Sequence, residues 1–123
     1  MSKLRLITAA LMAASLAVGT TVAFAGTKTI KIGDNWFVSP TKNNTTVKIS
    51  KNSRIKWKWS GSDEHNVRLK SAPSGVTKSK FTISERSTGT KRTSKLTKPG
   101  LYKFICSIHD YDNQIVKVRV KAN

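Results

Sequence analysis

The sequence predicts an all-β chain folded as a sandwich of seven to eight short strands, and two observations carry that expectation. Apolar and polar residues alternate with a period of two through most of the chain, and no stretch sustains a helical period. Turn-forming clusters of Gly, Pro, Asn, Asp and Ser recur about every 8–12 residues, the spacing of a sandwich of short strands. No internal repeat, linker or second domain is visible.

Residues 1–25 read as a cleavable export signal. Lys3 and Arg5 charge the start, an apolar run extends from Leu6 to Val18, and Ala23-Phe24-Ala25 supplies the small residues of a cleavage site before Gly26. The apolar run falls short of the roughly 20 residues that a membrane span needs. Residues 26–123 then form a single domain. Ile30 and Ile32 alternate with Lys31, and Gly33-Asp34-Asn35 turns the chain into Trp36-Phe37-Val38. Val47 and Ile49 follow, and Lys51-Asn52-Ser53 makes the next turn. Ile55, Trp57 and Trp59 alternate with Arg54, Lys56 and Lys58, which gives one buried aromatic face and one basic wet face. A loop over 60–64 leads to His65, and Val67-Arg68-Leu69 resumes a strand. From Lys70 to Gly100 the pattern weakens. Pro73-Ser74-Gly75 marks a turn, Phe81 and Ile83 fit one short strand, and the basic segment from Glu85 to Lys95 reads in part as surface loop. Tyr102, Phe104 and Cys106 then share a strand face, as do Val116, Val118 and Val120.

Composition narrows the partners. Without Lys3 and Arg5 the chain carries 21 basic against 6 acidic residues, a formal charge of about +15. An acidic partner, an anionic membrane or cell-wall surface, or simply solubility by self-repulsion fits that charge. Acidic redox proteins become the expected partners if the chain does redox chemistry. Specific nucleic-acid binding is not expected, because base stacking needs exposed rings and the Trp57 and Trp59 alternation is that of a core. Nothing in the sequence calls for more than a monomer.

The chemistry concentrates in Cys106-Ser107-Ile108-His109 and in His65. The chain has one cysteine and two histidines, so an exported form cannot close an internal disulfide, and metal ligation is one way to occupy the thiol. One thiolate and two imidazoles in a plane with a weak axial ligand make a blue-copper site. Cys106 and His109 are close enough in sequence for one loop to present both, and His65 would arrive from a neighbouring strand. Both methionines, Met1 and Met12, fall within residues 1–25, so no thioether remains as axial ligand. Gln114, eight residues after Cys106, is the expected replacement, against a Gln facing solvent with the axial position empty or filled by a backbone carbonyl. Its harder oxygen should favour Cu(II) over Cu(I).

His65-Asn66-Val67 together with the Cys-x-x-His spacing and Gln114 resembles the plastocyanin/azurin-type blue copper proteins, the cupredoxins. Phe37-x-x-Pro40, Val47-Lys48-Ile49 and Ile55-x-Trp57 are similar to the first strands of that family. The resemblance covers most of residues 28–122. It implies a Greek-key, cupredoxin-like sandwich, one type 1 copper, one-electron transfer and a brace at Asn66 between the two ligand loops. The Gln resembles the axial ligand of stellacyanin-like members, although their disulfide has no counterpart here. Ile108 replaces a common proline, and Asp110, Tyr111 and Asp112 replace small or apolar residues.

The expectation is therefore an exported, periplasmic or extracellular one-electron copper shuttle that is not an enzyme. Two histidines cannot build the second centre that oxidase or reductase chemistry would need. A copper-delivery protein of the same fold is the alternative, and a polyanion-binding sandwich is a third reading that leaves the Cys/His/His set unexplained. The glycosylation sequons at Asn43 and Asn44 stay unassigned.

Overall fold

The computed structural model describes residues 25–42, 44–108 and 114–122. The segment expected to be a signal peptide falls outside them except for Ala25. Among the described residues every regular element is a strand except one 3-10 turn. In order these are β1 (Thr27–Gly33), β2 (Trp36–Phe37), β3 (Thr45–Ser50), β4 (Arg54–Trp59), β5 (His65–Ser71), a 3-10 turn (Lys78–Phe81), β6 (Ile83–Arg86), β7 (Thr90–Arg92), β8 (Gly100–Ile105) and β9 (Ile115–Lys121).

The strands form two sheets, β2-β1-β4-β7 and β3-β9-β8-β5-β6. β1 with β4 and β3 with β9 are parallel pairs, and the other pairs are antiparallel. β3 lies at the edge of the second sheet and β4 inside the first, so the turn over 51–53 carries the chain from one sheet into the other. Asn52 there adopts a left-handed φ of 67°, a conformation that Asn tolerates better than most residues.

The alternation seen in the sequence places Ile30, Ile32, Ile55, Trp57 and Trp59 of one sheet against Val67, Leu69, Tyr102, Phe104, Val116, Val118 and Val120 of the other. Trp57 is fully buried and sits 5.5 Å from the Phe37 ring and 5.2 Å from Phe104, in tilted and edge-on arrangements that suit the ring quadrupoles. Phe81 meets Tyr102 and Phe104 edge-on and extends the cluster toward the 3-10 turn.

The described residues hold nine strands where seven to eight were expected. β2 and β7 span two and three residues, too short for any alternation to show. The stretch 70–100 is better ordered than its composition implied. Phe81 closes the 3-10 turn and Ile83 opens β6, and both are buried. They do not share one strand. Thr90–Arg92 pairs with β4 although all three residues are exposed.

Candidate metal centre

One end of the sandwich brings together His65, Asn66, Cys106 and Gln114 of the residues that the sequence singled out. Cys106 follows directly on β8, and its amide donates to the Gln114 carbonyl at 3.1 Å. With Ile105 paired to Ile115, this bond closes the neck of the loop between β8 and β9. Cys106 and Gln114 are therefore neighbours whatever path the loop takes. His109 lies outside the described residues, as do Asp110, Tyr111, Asp112 and Asn113.

His65 opens β5 on the neighbouring strand, and its imidazole is completely buried. Its Nδ1 stands 3.8 Å from the Cys106 sulfur, which is buried as well. An ion about 2.0 Å from an imidazole nitrogen and about 2.3 Å from a thiolate sulfur would hold those atoms about 3.7 Å apart at a trigonal angle. The observed spacing suits a shared ion. Among the described residues no group of three His, Cys, Asp or Glu side chains is placed to hold a metal, so a third strong ligand must come from elsewhere.

Gln114 is fully buried, and its environment fixes which way its amide faces. The Nε2 group donates to the Gly33 carbonyl at 2.8 Å and to the Trp36 carbonyl at 3.1 Å. Two carbonyls can be satisfied only by the NH2 end, so the oxygen points away from them. That oxygen, Oε1, is buried and has no hydrogen-bond partner among the described residues. A buried acceptor left open is costly unless something else binds it. An axial oxygen ligand is in this condition before metal enters, so the donor set fits copper.

Asn66 ties the two loops. Its Oδ1 accepts the Ser107 amide at 2.8 Å, and its Nδ2 donates to the Ser107 hydroxyl at 2.8 Å. Trp59 adds a bond from its indole N–H to the His65 carbonyl at 3.0 Å, and the Arg86 guanidinium lies 5.3 Å above its ring.

Sequence reasoning treated Asp34 as a turn residue only, and the structure gives it a second place. Gly33 and Trp36 pair across the β1–β2 hairpin, which puts Asp34 at its tip against the loop before β5. Its carboxylate accepts the Ser62 amide at 3.0 Å and the Asp63 amide at 3.0 Å, and Oδ1 lies 3.0 Å from His65 Nε2. Gly61 makes the approach feasible, because a Cβ there would fall 2.3 Å from Oδ1. The His65 bond first, then the Asp63 and Ser62 amides, hold the Asp34 carboxyl down at about 2. With its folded value depressed, this carboxylate stabilises the loop fully above its ordinary 3.8 and loses that effect as pH falls through about 2.

Residues 27–121 match the model of the copper-binding proteins of the plastocyanin/azurin family. No curated protein sequence matches the chain. Among solved structures, oxidized plastocyanin from Dryopteris crassirhizoma superposes with a TM-score of 0.59 at 20% identity, covering 76% of this chain and 100% of that one. A purple cupredoxin from Nitrosopumilus maritimus gives 0.57 at 19%, covering 76% and 98%. The copper-containing nitrite reductase from Thermus scotoductus gives 0.57 at 20%, covering 77% of this chain but 22% of its own. At these identities the structural likeness speaks for the fold.

Proposed function

The chain belongs to the plastocyanin/azurin family of copper-binding proteins, and from that premise we propose that it is an exported one-electron carrier that works through one type 1 copper. Cys106, His65 and His109 would hold the ion, and the Gln114 amide oxygen would be a further, weaker ligand. Bound there, copper supplies a Cu(I)/Cu(II) couple. The protein contributes rigidity. Asn66, the Cys106–Gln114 backbone bond and the Gln114 amide bonds hold the donors in place before and after the electron moves. The observation that carries the reading is the fully buried approach of Cys106 Sγ to His65 Nδ1 from two different elements. Titration of the mature protein with Cu(II) should give an intense blue thiolate-to-copper band with narrow hyperfine splitting, and a colourless product would overturn the reading. Export predicts a mature chain starting at Gly26.

Charge supports an acidic redox partner. Basic residues face outward in cross-strand register on both sheets, as Lys31 opposite Lys58, Lys56 opposite Arg92, Lys48 opposite Arg119 and Lys103 opposite Lys117. Like charges so placed repel by some tenths of a kcal/mol per pair, roughly 0.2–1, and their field attracts an acidic surface from a distance. The bimolecular electron-transfer rate with an acidic partner should fall as salt rises, because screening reaches about 8 Å at physiological ionic strength. A rate that ignores salt would remove the steering.

A further inference from the structure

We propose that Asp34 is a positioning residue for the copper site, which holds His65 in one tautomer and biases the ion toward Cu(II). The inference rests on His65 being a ligand and goes beyond it, since Asp34 lies outside the expected ligand set. An ionised carboxylate only accepts hydrogen bonds, so at 3.0 Å the His65 Nε2 must be the protonated nitrogen. Nδ1, the nitrogen 3.8 Å from Cys106 Sγ, is then left with its lone pair toward the sulfur. The carboxylate therefore selects the nitrogen available to metal, and it does so in a buried ring that cannot turn freely.

The same contact has an electronic consequence. A metal-bound imidazole that donates its other N–H to a carboxylate is a stronger donor than one bonded to a neutral acceptor. Stronger donation and a nearby negative charge both favour the more highly charged oxidation state. The harder axial oxygen expected from Gln114 acts in the same direction. Asp34 is itself fixed by the Ser62 and Asp63 amides, and Gly61 leaves room for it, so its position does not depend on His65 alone.

The test compares copper-loaded protein with Asp34→Asn and Asp34→Glu. Asparagine can still accept from Nε2 but carries no charge, and glutamate keeps the charge on a longer stem. Asp34→Asn should keep the blue band and lose about tenfold in its preference for Cu(II) over Cu(I), a rise in midpoint potential of about 59 mV. Asp34→Glu should recover part of that shift. A blue Asp34→Asn protein with an unmoved potential overturns the proposal. Should Asp34→Asn fail to fold, nitrogen-15 spectra of the unaltered Cu(I) protein decide. A protonated His65 Nε2 with a strongly downfield proton supports Asp34, and an unprotonated one overturns it. An unaltered protein without a blue band instead sinks the copper-ligand reading, and this inference with it.

Discussion

Cys106→Ser should abolish the blue band completely while leaving the sandwich folded. The colour of a type 1 site comes from the thiolate, and the chain holds no second cysteine to replace it. Serine is nearly the same size, so the pocket that excludes all solvent from residue 106 is not emptied. His65 Nδ1 lies 3.8 Å from the sulfur, a distance that the shorter serine side chain does not close to a hydrogen bond without a small shift. The stability cost of the apo variant should therefore be about 1–3 kcal/mol, that of a buried polar group without a full partner. The larger effect is on linkage. A ligand that binds only the native state stabilises it by about 2.7 kcal/mol at a free concentration one hundred times its dissociation constant. The parent should gain a clear rise in melting temperature on adding Cu(II), and Cys106→Ser should lose most of it. Visible spectra and calorimetry with and without copper check both halves. A serine variant that stays blue would show that Cys106 is not the thiolate.

The parts of this fold that were legible are those in which burial repeats over several residues. Ile55, Trp57 and Trp59 in β4 and Val116, Val118 and Val120 in β9 show a period of two because each strand buries one face along six or seven residues. β2 and β7 have too few residues to show any period, and they exist because β1 and β4 offer them partners. The 3-10 turn hid because Phe81 and Ile83, separated by exposed Thr82, mimic a strand. The metal candidates were legible for a chemical reason, since Cys and His are so rare here that their pattern has few readings. Asp34 was not, because its role arises where the hairpin tip meets a loop about thirty residues later. The one trace in sequence was Gly61, whose missing Cβ only makes sense once the carboxylate is seen beside it. Likewise, nothing local in the sequence announced that Gln114 would be held by the carbonyls of Gly33 and Trp36.

Gln114→Met should raise the reduction potential and, at the same time, weaken the fold, and the pairing of the two effects distinguishes an axial glutamine from a merely structural one. A thioether is softer than an amide oxygen and favours Cu(I), so replacing one by the other moves the potential upward if residue 114 faces the ion. The methionine side chain has no donor. It leaves the Gly33 and Trp36 carbonyls, now capped at 2.8 and 3.1 Å, without the NH2 group. A buried acceptor stripped of its partner costs about 1–3 kcal/mol, offset in part because the unpartnered Oε1 disappears as well. Voltammetry and chemical denaturation of the same preparation read the two consequences separately. Loss of stability with an unchanged potential would make Gln114 a tie between hairpin and strand and nothing more. Gln114→Glu sharpens the contrast. A carboxylate directed at two carbonyls repels them, so this change, the smallest in volume, should destabilise the apo protein more than methionine does.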